Sequence, residues 1–295
     1  MAASTTPSFS NIINFRDVAT STNTISGSNI LKPGLLYRAA RPDEASASDR
    51  DQLLNGYRIK TIIDLRSKTE HINASKKHSD GAAIAQSAAV PSSNEAIAAP
   101  LKISGIKYAE INLNGKGFER ALLWKLSWSS MAKLVGLMTM GYRNEGISIL
   151  GSQVMQPRGL IGLGLDTLQY SGKEIKEVFD VLADRFPYPV MVHCTQGKDR
   201  TGLTILLVLM LCHVPDEAID RDYLQSEPEL QPEMESRLQE IKSIGLDETF
   251  AGCPKDFVPS VTRHITQHYG GVEQYLRSIG VNDKQQASIK DMLKN

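Results

Sequence analysis

Tyr188-Pro189-Val190-Met191-Val192-His193-Cys194-Thr195-Gln196-Gly197-Lys198-Asp199-Arg200-Thr201-Gly202 is the stretch on which the fold turns. Its opening residues, a short apolar run behind two prolines (Pro187 and Pro189), read as a buried strand. From about Arg200 the chain becomes almost continuously apolar as far as Cys212, which reads as a buried helix. Leu203–Cys212 is too short to cross a bilayer, which takes roughly 20 residues. Strand, tight loop and buried helix together predict an α/β fold with its site at the C-terminal end of a strand.

Within the loop, Cys194 and Arg200 flank five residues. A loop of that length can curl so that successive backbone N–H groups point inward and bind the oxygens of a phosphate. The helix that follows aims its own unpaired N–H groups and the positive end of its dipole at the same place. The same field favours the thiolate form of Cys194, the nucleophilic one. Arg200 adds a planar, permanently charged fork that matches two phosphoryl oxygens. Thr195, Gln196, Gly197 and Lys198 complete the candidate phosphate-binding set. Gly197 permits a tight turn, and Gly202 permits close packing of the helix. The Thr201 hydroxyl is placed to donate to the cysteine sulfur, and His193 to fix the loop by a hydrogen bond. An ordinary buried thiol beside a glycine turn is the competing reading; the strand before, the helix after, the histidine and the Thr-Gly all weigh against it.

Outward from this centre, Gly34–Arg38, Lys60–Arg66 and Ile106–Leu113 read as further short strands. A long helix-rich segment separates the last of these from the strand that ends at His193. Ser171 to Phe186 reads as an amphipathic helix opened by a capping box of Ser171 and Glu174. Between Asn73 and Gly105 the composition shifts to Ala, Ser, Asn, Gly and Pro, which predicts a loop-rich excursion over 73–105. Residues 1 to about 10 are Ser/Thr-rich and read as loose. Ala121–Tyr142 holds both tryptophans, Trp124 and Trp128, with little charge. It belongs to an apolar helical insertion expected over 118–150, within one domain covering 1–295. Three readings stand for it: a lid over the site, a core helix, or a surface contact with membrane or acyl chain, with Lys125 and Lys133 at the interface.

The 295 residues carry 33 Lys+Arg against 33 Asp+Glu, a formal net charge of +0. That balance gives no sign of a nucleic-acid partner, and an anionic substrate must be caught by a local site. Cys194, Cys212 and Cys253 show no metal-ligand spacing and are odd in number, which fits a reduced, cytoplasmic setting better than a disulfide framework. The N-terminus lacks the pattern of a secretory signal. No stable membrane insertion is expected.

The sequence HCTQGKDRTG resembles the phosphate loop of the protein-tyrosine phosphatases, more narrowly their bacterial and fungal tyrosine-phosphatase-like group. The resemblance also rests on Asn14-Phe15-Arg16-Asp17, on Leu36-Tyr37-Arg38-Ala39-Ala40-Arg41-Pro42, and on Ile63-Asp64-Leu65-Arg66-Ser67 with Glu70. After the loop it continues through Asp222-Tyr223 with Ser226, and Tyr269-Gly270-Gly271-Val272 with Tyr275-Leu276. The stretch of about 73–160 matches least. The resemblance implies a cysteine-dependent phosphatase fold, a central mostly parallel sheet flanked by helices with a helical lid-like insertion. It also implies a reaction without metal or other cofactor, through a cysteinyl phosphate.

Such chemistry needs a general acid for the leaving oxygen. The Trp-Pro-Asp tripeptide that carries it in most tyrosine phosphatases is absent here. Three aspartates compete. Asp199 lies in the loop, and the resembling group uses its loop aspartate. Asp64 ends a strand, with pairing to Arg200 or Arg66 as its bland role. Asp166, in Gly162–Thr167, stands in chain order where the mobile acid sits, with a turn or cap as its bland role. Arg16, Asp17, Arg38 and Arg41 read as an ion-pair network behind the site or, alternatively, as substrate contacts. Lys198 adds charge inside the loop, for a second phosphate of a phosphoinositide or for any phosphate. The expected substrates are therefore phosphotyrosine, with phosphoserine and phosphothreonine under a dual specificity, or a phosphoinositide or other lipid-like phosphate. A catalytically silent phospho-binding module is the alternative from another class.

Overall fold

The computed structural model describes residues 9–78 and 101–295. Five strands form one sheet: β1 (Arg16–Asp17), β2 (Leu36–Ala39), β3 (Thr61–Asp64), β4 (Lys107–Glu110) and β5 (Val190–His193). Their spatial order is β1-β2-β5-β3-β4, parallel throughout except for β1, which runs antiparallel to β2. Between and beside the first three strands lie α1 (Val18–Ser26), α2 (Ala47–Asp51) and α3 (Lys68–His78). The segment between β4 and β5 holds α4 (Lys116–Leu123), α5 (Trp128–Thr139), α6 (Arg143–Leu150), α7 (Gln156–Tyr170) and α8 (Gly172–Ala183). After β5 come α9 (Asp199–Leu211), α10 (Asp216–Leu224), α11 (Ser226–Glu229) and α12 (Met234–Ser243). The chain closes with α13 (Phe257–Tyr269), α14 (Val272–Ser278) and α15 (Asp283–Leu293).

The central strands read as unbroken apolar runs because both faces of the sheet are covered. Side chains alternate between two cores, as the pleat demands. Leu36, Ile63, Val190 and Val192 point into the larger core, built with α8, α9 and the C-terminal helices. Tyr37, Ile62 and Met191 point to the other face, against Ile12, Leu53, Ile59 and Ile103. β5 is the middle strand, so His193 stands level with Ala39 on one side and Asp64 on the other. The loop beginning at Cys194 thus leaves the sheet at its centre.

Three expectations need correction. The Ser171–Glu174 capping box does not form. Ser171 follows Tyr170 directly at a helix–helix junction, with φ −109° and ψ 27°, and its N–H bonds to the Thr167 carbonyl. A capping side chain needs extended backbone at that position. The helix then ends at Ala183 rather than Phe186. Residues 73–78, expected within the loop-rich excursion, continue α3, and 79–100 of that excursion lie outside the described residues. Finally, 121–142 is not a core helix. Of α5 only Leu134 is buried, α5 packs chiefly on α6, and Trp124 and Trp128 stand in solvent. No described helix is long and apolar enough to cross a membrane.

Candidate active site

The Cys194–Lys198 loop is held open from behind. Asn14 Nδ2 donates to the Gln196 and Gly197 carbonyls at 2.9 and 3.2 Å. Arg38 donates to the Gly197 carbonyl at 2.7 Å, and the Arg41 N–H donates to the Thr195 carbonyl at 3.1 Å. Among the described residues, the N–H groups of Thr195, Gln196, Gly197 and Lys198 have no acceptor. Neither do those of Asp199, Arg200 and Thr201, in the first turn of α9. Seven successive unpaired donors at a helix N-terminus are an arrangement suited to binding an anion. The turn demands glycine twice over at 197. Its φ is +64°, and a Cβ would sit 2.0 Å from the Ala39 carbonyl oxygen. Gly202 lets the helix approach the Tyr223 ring, 3.0 Å from where a Cβ would stand.

Behind the braces, Arg16 and Arg38 converge on Asp222 at 2.8 and 2.6 Å, and both reach the Ser226 hydroxyl. Burial pushes the Asp222 carboxyl up, but the two guanidiniums outweigh it and hold it below the usual carboxylate range. Arg16 and Arg38 therefore belong to a network behind the loop. Asp17 instead caps α1 through the Ala19 and Thr20 N–H groups, and Arg41 reaches towards Glu233 at 3.5 Å.

Cys194 is buried at the foot of the loop. Arg200, the second residue of α9, is gripped by Glu70. Glu70 Oε2 accepts from Nη1 at 2.7 Å, and Oε1 accepts from Nη2 and also from the Thr195 hydroxyl. The Leu65 carbonyl takes a further bond from Nη1 at 3.2 Å. Burial raises the Glu70 carboxyl, yet Arg200, then Thr195 and the Ser67 N–H, outweigh it and hold the group well below its ordinary value. Sequence reasoning named Glu70 only within a resembling block and missed this role. The available signal was Ser67-x-x-Glu70 behind a strand, a capping box that does form here: Glu70 accepts from the Ser67 N–H at 2.9 Å.

The three acid candidates separate cleanly. Asp199 is the first residue of α9; its side chain is 36% exposed, and its Oδ1 has no hydrogen bond, with Lys198 Nζ 3.4 Å away. Asp64 is buried and chelated by Arg66, with Nε at 3.0 Å and Nη2 at 2.7 Å. Burial raises it, but His193, Arg66 and His71 hold it far below the usual carboxylate range. Asp166 lies inside α7, buried, and pairs with Lys125 at 2.8 Å and Arg158 at 2.7 Å. It sits on no mobile loop.

Lys198 also departs from expectation. Its side chain is fully buried, and Nζ donates to the Phe250 and Gly252 carbonyls at 3.0 and 2.6 Å. Arg237 takes the Ala251 carbonyl between them. A buried ammonium must find acceptors, and this one finds them in the 250–252 segment. Only the backbone N–H of Lys198 remains in the anion-binding set. His193 contacts the Cys194 carbonyl through Nδ1 at 3.0 Å, with Nε2 3.5 Å from Asp64. Burial pushes its pKa down. The Thr201 hydroxyl is buried without a hydrogen-bond partner among the described residues. Those residues include no cluster of His, Cys, Asp and Glu able to hold a metal.

Known proteins with similar sequences point the same way. A tyrosine-protein phosphatase of Nostoc commune is 29% identical over 163 residues, covering 50% of this chain and 55% of that protein. The triple specificity protein phosphatase PtpB of Mycobacterium tuberculosis is 28% identical over 120 residues, covering 35% of this chain and 42% of that protein. The chain thus spans about half the length of the curated relatives it matches. The model describing the tyrosine phosphatase family matches residues 7–295, and with the loop, its braces and its strand order in place, the chain belongs to that family.

Proposed function

We propose that this chain hydrolyses phosphate monoesters, phosphotyrosine foremost, through a cysteinyl phosphate on Cys194. The observation that carries the reading is the run of seven unpaired N–H donors from Thr195 to Thr201, directly after Cys194. It offers a preorganised seat for three phosphoryl oxygens. Two guanidinium N–H groups of Arg200, Nε and the outer hydrogen of Nη2, are free of Glu70 and Leu65 and form the side edge of the fork. That edge suits two equatorial oxygens in the transition state.

In the first step the Cys194 thiolate attacks phosphorus, the S–P bond forms and the P–O bond to the leaving group breaks. Asp199 gives its proton to the departing oxygen. In the second step water attacks phosphorus and gives a proton to the Asp199 carboxylate. The S–P bond breaks, and Cys194 leaves as a thiolate eased by the free Thr201 hydroxyl. The residues that supply these steps are Cys194, Arg200 and Asp199, and none of the steps calls for a metal.

Phosphoserine and phosphothreonine are accepted under this reading with slower turnover. A phosphoinositide ranks behind them, since the Lys198 ammonium is already satisfied by backbone carbonyls. The test compares phosphate release by wild type and Cys194→Ser on matched phosphotyrosine, phosphoserine and phosphoinositide. Release abolished in the variant and fastest on phosphotyrosine is expected. Release that persists in Cys194→Ser overturns the mechanism, and none from the wild type would mean a silent binding module.

A further inference from the structure

Two cations lie inside the protein next to Asp199. Lys198 is 0% exposed and Arg237, on α12, 1%. Charges so far from water need acceptors or a counter-ion close by. The two draw on three consecutive carbonyls. Lys198 Nζ takes those of Phe250 and Gly252, and Arg237 Nη2 takes that of Ala251 between them. Arg237 Nη1 also holds the Leu230 carbonyl, at 3.2 Å. The backbone of 250–252 is thus a strap shared by both side chains, and Asp199 directly follows one of them.

This arrangement leaves two polar groups over. Lys198 has its acceptors, but Arg237 Nε is buried with no hydrogen-bond partner among the described residues. Asp199 Oδ1 has none either, and stands 3.4 Å from Lys198 Nζ. Carbonyls carry only partial charge, and Arg237 makes no ion pair among the described residues. The groups whose charge bears on it are Asp199 foremost, then Cys253, Glu233 and Glu227. Burial pushes the Cys253 thiol up to about 11, which keeps it neutral. Glu227 is exposed, and Glu233, 30% exposed, lies beside Arg41, so water screens both. Asp199 is the anion left to answer a buried guanidinium.

We infer that Arg237 is a positioning residue for the reaction, fixing the 250–252 strap and turning its spare Nε–H to the Asp199 carboxylate once the proton has left. The inference rests on Asp199 as the acid of the proposed function and deepens that reading. As the P–O bond breaks, the Asp199 proton goes to the departing oxygen, and the carboxylate left behind meets a positive charge already in place. Water returns the proton in the second step. Such a preset charge needs no rearrangement at the moment of reaction.

The test is a leaving-group series, from nitrophenyl phosphate to a phosphotyrosine peptide. It is run on the full chain as wild type, Asp199→Asn, Arg237→Gln, Arg237→Met, Arg237→Lys, and Arg237→Gln combined with Asp199→Asn. Glutamine and methionine remove the charge, glutamine keeping a donor for the Ala251 carbonyl, and two neutral variants guard against one that does not fold. Both should lower kcat on phosphotyrosine about tenfold, a fraction of the 10²–10⁴ that a general acid contributes. KM and turnover of nitrophenyl phosphate should move much less. Arg237→Lys, which keeps the charge, should keep the wild-type slope. On the Asp199→Asn background Arg237→Gln should leave the slope unaltered, because its partner is gone. A loss of stability alone lowers melting temperature without steepening that slope. The inference is overturned by neutral variants with the wild-type slope where Asp199→Asn steepens it. Additive steepening in the double variant, or a slope as steep in Arg237→Lys as in Arg237→Gln, overturns it too. A wild-type slope in Asp199→Asn removes the acid itself, and Arg237's part with it.

Discussion

Glu70 meets Arg200 end-on, carboxylate oxygens on both terminal nitrogens, at 2.7 Å to Nη1 and 2.5 Å to Nη2. That contact fixes the guanidinium plane and leaves its side edge for the loop's concave side. Glu70→Gln retains the shape but removes the charge, so Arg200 loses its orientation. A drop in kcat of about 100-fold is expected, the scale of a misplaced catalytic group. Alkylation of Cys194 by iodoacetamide should continue, which separates loss of alignment from loss of the nucleophile.

Asp199→Asn should lower kcat by about 10²–10⁴ on a poor leaving group such as phosphotyrosine. A substrate whose leaving group needs no proton, such as a nitrophenyl phosphate, should suffer much less. Asp166→Asn should leave that leaving-group dependence at the wild-type slope, because Asp166 is spent on Lys125 and Arg158. A steeper slope in Asp166→Asn than in Asp199→Asn would reverse the assignment.

Lys198→Met should act on stability. It strips the Phe250 and Gly252 carbonyls of their donor, a loss of about 1–3 kcal/mol for buried acceptors left unpaired. Thermal melting should show the loss, while the ratio of phosphotyrosine to phosphoinositide turnover stays put. A selective fall in phosphoinositide turnover would return the ammonium to the substrate.

Stability should fall on acidification in two stages. His71 and His193 have folded pKa values below their ordinary 6.5, chiefly through burial. Asp64 and Glu70, despite burial, are held far below their ordinary 3.8 and 4.5 by His193 with Arg66, and by Arg200. In all four the unfolded chain binds protons more readily, so stability is complete above the unfolded pKa and is lost as pH falls below it. Urea midpoints should therefore decline gently below about pH 6.5 and more steeply below about pH 4.5. Asp64→Asn should soften the second stage; an unchanged profile would refute the pairing with Arg66.

Much of the fold was readable in the sequence because its central strands are buried on both faces. Lys60–Arg66, Ile106–Leu113 and Tyr188–His193 bracket β3, β4 and β5, and Gly34–Arg38 overlaps β2. β1, two residues long, carries no period to read. Ser171 misled because a capping pattern says nothing of a second helix ending one residue earlier. At the site, Cys194 and Arg200 are neighbours in sequence, so their spacing was enough to bring them together. Glu70 lies 130 residues from Arg200, and nothing in its local Ser67-x-x-Glu70 pattern names that partner. Lys198 was misjudged for a similar reason: its carbonyl partners come 52 and 54 residues later, so nothing local states which way it turns.

The braces of the loop have a consequence for how the chain comes into being. Asn14 reaches across 183 residues to Gly197, Arg38 across 184 to Asp222, and Lys198 forward to the carbonyls of 250–252. No stretch of the nascent polypeptide contains these partners together, and closing such distant contacts is slow. A chain made as far as α9 already holds Asn14, Arg38, Arg41 and Glu70, the side chains that brace the loop and align Arg200, but it lacks the Phe250 and Gly252 carbonyls that seat Lys198. A chain cut before residue 250 should therefore emerge with a buried ammonium lacking its acceptors and a loop less firmly held than in the full chain.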